Sequence, residues 1–302
     1  CLTWLVLAVF AMAISKLFTL YPSSVLPINI EIIIALIMGY LIHKKQINSF
    51  FPSVIALLIL YLFVYLGTIF QIDLKSFGIS NPQNTWIIFL FIYSGIASIL
   101  PVWILLQPRD YINSHQLLVG LGLIYASIFI FRPEITAPAI NFTSDAPPMI
   151  PFLFVTIACG AISGFHGLVS SGTTSKQIDK VNDARIIGYG SMIGEGTLAL
   201  AAIIASIAGI ALVNNCEING IFHEQLSWNA YYDTWEHAAK NKFMAFILGG
   251  AALIEKLGLS MELSKTLISV LIISFAATTL DTATRIQRMI ITEFGMALNT
   301  PL

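Results

Sequence analysis

Between Pro151 and Gly190 the chain reads PFLFVTIACGAISGFHGLVSSGTTSKQIDKVNDARIIGYG, and this stretch gathers the side chains best suited to chemistry. An apolar run from Pro151 to Ile162 meets the hydroxyls of Ser163, Ser170, Ser171, Thr173 and Thr174, with His166 and several glycines among them. Glycines and hydroxyls grouped over 163–174 weaken the helix there, and an interrupted helix in lipid is tolerated only beside protein or water, so a polar cavity of the transporter kind is expected. An imidazole, with an unperturbed pKa of about 6.5, can pass a proton near neutral pH. Two bland alternatives stand beside this reading: a neutral His166 bonded to Ser163 or Ser170, and small residues that let helices approach closely. Glu195 lies one or two turns into the next apolar run. An acid at membrane depth is costly unless it faces protein or water, so Glu195 is a candidate protonatable coupling group.

A second group surrounds Pro101. Tyr93 to Pro101 reads YSGIASILP; proline removes one helical hydrogen bond and clashes with the preceding turn, freeing carbonyls near Ala97. A kink or unwound turn is therefore expected at mid-membrane, with Ser94 and Ser98 beside it. Two interrupted helices facing one another can offer dipole ends to an anionic substrate and loose carbonyls to a coupling ion. A purely structural kink is the alternative. Arg109 and Asp110 follow, read either as an interfacial anchor with a helix cap or as a gating ion pair. Asp281 and Arg285 stand four residues apart, a spacing that pairs opposite charges on one helix face. Phosphate loops, nucleophile elbows, metal-ligand helices and dinucleotide fingerprints are absent from the sequence, so no cofactor, no metal and no ATP-driven step is implied.

The elements that must position these residues are membrane spans. Hydrophobic residues make up 57% of the 302 and charged residues 10%, with mean hydropathy +0.84; soluble domains carry about 25% charged residues. A net charge of −1 and a sequence pI near 6.6 give no reason to expect a nucleic-acid partner. Three cysteines, Cys1, Cys159 and Cys216, show no metal or disulfide spacing. A span needs about 20 mostly apolar residues. The expected spans are 2–20, 26–43, 52–70, 86–106, 116–131, 151–169, 186–213 and 263–280. The short run 243–257, with Gly249 and Gly250, reads better as interfacial or re-entrant. Lysine and arginine asymmetry puts the Lys44–Lys45, Arg109 and Lys176–Arg185 loops in the cytoplasm. One transmembrane domain over 1–302 is expected, with an extracytoplasmic helical cap over 214–241 and an amphipathic surface tail over 282–302. The chain opens on Cys1 already inside an apolar run, which reads as a piece lacking its N-terminal helices.

Four blocks carry a resemblance: IASILPVWILLQPRDYINS (96–114), PFLFVTIACGAISGFHGLVSSGTTSKQI (151–178), DARIIGYGSMIGE (183–195) and TTLDTATRIQR (278–288). Together they closely resemble the carbon starvation protein A family of bacterial inner-membrane transporters, associated with peptide and pyruvate uptake. The resemblance implies an all-α, polytopic helical bundle with a LeuT-like inverted-repeat core, here partial. Two segments usual in the family, a Gly-Ala-Gly-Pro broken helix and a His-His-Arg-Pro-type stretch, are not in this sequence, so part of a substrate site would lie outside it. The expected activity is secondary import of a small carboxylate nutrient, pyruvate or short peptides, coupled to protons, in the bacterial inner membrane. Substrate binding or coupling falls to Ser94, Ser98, Ser163, His166, Ser170, Ser171, Thr173, Thr174 and Glu195; gating falls to Arg109, Asp110, Asp281 and Arg285. A membrane nutrient sensor is the first rival, and an intramembrane enzyme using His166 with a nearby serine is the second.

Overall fold

The computed structural model describes residues 2–141, 146–161, 164–172, 174–218 and 221–297. Helices dominate because apolar backbone away from water must bond within its own segment. In order they are α1 (Leu2–Leu20), α2 (Val25–Lys45), α3 (Phe50–Ile69), α4 (Pro82–Ile99), α5 (Leu106–Phe131), α6 (Met149–Ala161), α7 (Gly164–Gly172) and α8 (Asp183–Ile204). After a π turn and a 3-10 turn come strands β1 (Asn214–Ile218) and β2 (Ile221–Gln225), then α9 (Trp228–Tyr231), α10 (Trp235–Lys240), α11 (Lys242–Glu255) and α12 (Met261–Ala297). Six of the described helices are long and apolar enough to cross a membrane: α1, α2, α3, α5, α8 with its continuation to Leu212, and α12. The chain is a multi-pass membrane protein of the all-α class.

Two compact units form. The first comprises residues 1–118, 167–176 and 269–302. In it α1 packs on α4 and α2 on α3, over a core that includes Ala35, Met38, Ala56, Leu60, Ala97, Leu105 and Ile112. Gly67 permits the approach of the turn before α2, since a Cβ there would lie 2.3 Å from the Ser23 carbonyl oxygen. Helix α12 enters this unit at Ser269 and stays largely buried to Ile286.

The second unit comprises 119–166 and 177–268. Its centre is α11, buried from Ile247 to Ile254. It packs on the π turn Ala205–Gly209, where a Cβ on Gly249 would lie 2.0 Å from the Ala205 carbonyl oxygen. An interfacial helix would keep one wet face; α11 instead uses its glycine for close backbone approach, the small-residue packing of membrane helices.

Several expectations are revised. Of the kink or unwound turn expected at Pro101 the structure has the second, and the single expected span 86–106 becomes two helices: Leu100 is extended (φ −65°, ψ 143°), a short turn follows, and a new helix starts at Leu106. Proline clashes with a helical residue before it, so the chain leaves the helix there and does not bend through it. The region 214–241 is not purely helical. It opens with an antiparallel hairpin in which Ile218 pairs with Ile221 and Asn214 with Gln225, followed by α9 and α10. Residues 282–297 form no separate tail, because α12 runs through them without a stop, and Ala283 and Ile286 are buried.

Candidate functional site

The first unit buries an ionic cluster built from four helices. Glu31 comes from α2, Tyr93 from α4, Arg109, Asn113 and Gln116 from α5, and Ser274 and Asp281 from α12. Arg109 and Glu31 are fully buried, and Asp281 is 1% exposed. The Arg109 Nε donates to Glu31 Oε1 at 2.8 Å, while Nη1 donates to the Tyr93 hydroxyl at 2.8 Å and to Asp281 Oδ2 at 3.0 Å. The Tyr93 hydroxyl in turn donates to Asp281 Oδ2 at 2.9 Å. On the other side, Ser274 Oγ lies 2.7 Å from each Glu31 oxygen and 2.6 Å from Asn113 Oδ1.

Helical spacing explains the convergence. Arg109, Asn113 and Gln116 recur at four and three residues, hence on one face of α5. Ser274 and Asp281 are seven apart, two turns on the same face of α12. A planar guanidinium presents donors in a rigid fork, so a single side chain can span acids from two different helices. Buried charges persist only when paired and hydrogen-bonded, and in membrane spans such pairs commonly mark pathways for substrate or ion.

A second arrangement closes the end of α4. Arg285 Nη2 donates to the carbonyls of Ala97 at 3.0 Å and Leu100 at 2.7 Å, and Arg288 Nη1 donates to the carbonyl of Ser98. Cations at a helix C-terminus satisfy its orphan carbonyls and suit the dipole.

The expected site residues fall as follows. Arg109 and Asp281 come together, but Arg109 directs its hydrogen bonds to Glu31, Tyr93 and Asp281, not to its neighbour Asp110, which is exposed on α5. Arg285 turns to carbonyls of α4 and not to Asp281, because the helix end offers it acceptors. Ser94 and Ser98 are buried, with hydroxyls bonded to the carbonyls of Phe91 and Gly95 in their own helix. No amide donors for a carboxylate are available there, since a helix C-terminus presents carbonyls.

Ser170 and Ser171 are exposed on α7, and both donate to the Gly167 carbonyl. Gly172 closes that helix beside α12, where a Cβ would meet Met289 Cε at 3.4 Å. Thr174 opens a half-exposed 3-10 turn. Glu195 is exposed on α8. Ser163 and Thr173 lie outside the described residues, as does the side chain of His166, whose backbone is in α7. Glu31, Tyr93, Asn113, Gln116 and Ser274 were not anticipated. Glu31 had a signal: it is an acid set in the apolar run PINIEIIIALIMGY.

A family model described as carbon starvation protein CstA matches residues 1–301. The peptide transporter CstA of Helicobacter pylori is 36% identical over 204 residues, covering 65% of this chain and 30% of that protein. The peptide transporter CstA of Campylobacter jejuni is 36% identical over 215 residues, 67% of this chain and 30% of the relative. The pyruvate/proton symporter BtsT of Escherichia coli is also 36% identical over 215 residues, 67% of this chain and 29% of the relative. The chain thus matches about 30% of the length of these relatives. No solved structure matches it. With the family model matched from the first residue to the penultimate one, the chain belongs to the carbon starvation protein CstA family.

Proposed function

We propose that this chain forms part of a secondary transporter in a bacterial inner membrane that imports a small carboxylate nutrient, pyruvate or a short peptide, coupled to protons. The observation that carries this reading is the Arg109–Glu31–Asp281 cluster, sealed from the surface inside the first unit. Two acids and a guanidinium in such a place cost free energy that a merely structural contact would not require, since apolar residues of similar volume serve stability as well. Relatives named as peptide transporters and as a pyruvate/proton symporter support the same class of substrate and ion. A family whose curated relatives bear those names argues for transport and against the enzyme built on His166 with a serine.

In this proposal Arg109, Asp281 and Arg285 hold α2, α4, α5 and α12 in one of two alternating arrangements, with Asp110 at the rim. The hydroxyls of Ser170, Ser171 and Thr174, together with Ser163, His166 and Thr173, contact the substrate; Ser94 and Ser98 shape the end of α4 that Arg285 and Arg288 hold. The leucine-transporter-like repeat remains the proposed architecture of the whole protein. The decisive measurement is counterflow in proteoliposomes of a full-length protein containing this chain, with labelled pyruvate in one arm and a labelled dipeptide in the other. Labelled substrate concentrated intact inside the vesicles supports the carrier. Binding without passage would favour a sensor, and chemically altered label would favour an enzyme.

A further inference from the structure

Three carbonyls at the end of α4 find their partners on one distant helix. The oxygens of Ala97 and Leu100 converge on a single nitrogen, Arg285 Nη2, at 3.0 and 2.7 Å, and that of Ser98 accepts from Arg288 Nη1. Arg285 and Arg288 stand three residues apart, so both project from one face of α12. Among the described residues neither guanidinium has a carboxylate within ion-pair distance; Asp281, one turn before Arg285, is bound by Arg109 and Tyr93. The negative charge that these arginines meet is that of the helix end itself, roughly half an elementary charge.

This is more than a helix end needs. Backbone N–H groups, which are neutral, close most helix C-termini. Here Ala97 and Ser98 are buried and both guanidiniums are only part-exposed, so two cations give up water to do the same work. Arg285 Nε is moreover buried without a partner among the described residues, so the side chain is placed for the carbonyls and at the expense of its own donors. In membrane carriers, loose carbonyls at the end of an interrupted helix are where a free cation binds. In this chain those carbonyls are already held by cations of α12.

We propose that the end of α4 is a monovalent-cation site whose occupant is built into the chain. The Arg285 guanidinium, with Arg288 beside it, stands where a carrier would otherwise take a cation from solution, so sodium and potassium have no place there. Any motion of α12 carries the site's charge with it. The part this charge plays in a transport cycle rests on the transport reading above; the cation site itself does not.

The test uses the full-length protein containing this chain. Because both carbonyls use one nitrogen, a lysine ammonium can serve them, whereas glutamine offers an N–H donor without charge. The unfolding midpoint is expected to fall further in Arg285→Gln than in Arg285→Lys. In Arg285→Ala, methylguanidinium is expected to raise the midpoint with the logarithm of its concentration and to slow amide exchange over Ile99–Gln107, while methylurea, neutral and of the same shape, does neither. Equal midpoints for the lysine and glutamine variants, no rise with methylguanidinium, or an equal rise with methylurea overturns the cation site; if Arg285→Ala does not fold, the other two variants still decide it. In vesicles, wild-type counterflow is expected to be the same in sodium, potassium and choline media, and Arg285→Ala to lose counterflow and regain it with methylguanidinium. Wild-type counterflow that requires sodium or potassium, or regained stability without regained counterflow, overturns the transport role and leaves the site standing. Midpoints that follow charge in a protein with no counterflow at all overturn only the transport reading.

Discussion

Arg109 is fully buried, so its hydrogen-bond partners decide what it contributes. Removing one partner of a buried ion pair strands the other and costs about 3–5 kcal/mol. Arg109→Ala is therefore expected to lower the unfolding midpoint of the purified protein strongly, and Arg109→Lys to recover little. A lysine ammonium is a point charge and cannot serve Glu31 through one edge and Tyr93 with Asp281 through another. A midpoint unchanged in Arg109→Ala would mean the cluster adds nothing to the fold. At Cys216 on β1, burial raises the thiol pKa above its usual value while nearby Lys265 lowers it less. The thiolate fraction at neutral pH is then below that of a free cysteine, so alkylation is expected to be slow at pH 7 and to accelerate as pH rises through the raised pKa. Alkylation as fast as that of a free thiol would refute it. Arg109 and Asp281 were legible as charges in apolar surroundings, yet their partners were not: Glu31 lies 78 residues before Arg109 and Asp281 lies 172 after it. Spacing along one helix points to Arg109 with Asp110 and Asp281 with Arg285, while in the fold the hydrogen bonds of both arginines go to residues of other helices.

The end of α4 shows how an element is finished by residues far from it. Pro101 stops the helix, and Arg285 with Arg288 satisfies the carbonyls left behind. Arg285→Ala is expected to speed amide hydrogen exchange across Ile99–Gln107 without altering exchange in α3; exchange unchanged over that turn would show that the proline alone holds it. Gly249 makes a complementary test, because a methyl placed 2.0 Å from the Ala205 carbonyl oxygen must push α11 off the π turn. Gly249→Ala is expected to destabilise the protein by about 1–3 kcal/mol, read as a lowered unfolding midpoint. Helix positions were largely readable, since the expected 2–20 and 52–70 match α1 (Leu2–Leu20) and α3 (Phe50–Ile69) closely. The hairpin has only a local signal in the sequence: Asn219-Gly220 stands between its strands, the dipeptide that two-residue hairpin turns favour. The aromatic residues further along, Trp228, Tyr231, Tyr232 and Trp235, belong to the short helices α9 and α10 and the turn between them.

For the whole molecule, the surface reports the solvent. Trp4, Ile99, Phe129 and Phe154 are each more than 60% exposed, a display that water would penalise and hydrocarbon accepts. The protein is therefore expected to stay in the membrane pellet after alkaline carbonate washing; release into the supernatant would contradict the spans. Composition made this class plain, because charged residues at 10% cannot solvate a soluble surface of this size. One helix also joins functions that the chain otherwise keeps apart. Along α12, Ser274 and Asp281 belong to the buried acids, while Arg285 and Arg288 grip the end of α4. From Ser274 to Arg288 the rod measures roughly 21 Å at 1.5 Å per residue, about four turns. A rigid rod cannot slide or roll at one end alone. Any axial step that loosens the arginine grip must also draw Ser274 away from the Glu31 carboxyl, so the two sets of contacts break or hold as one mechanical unit.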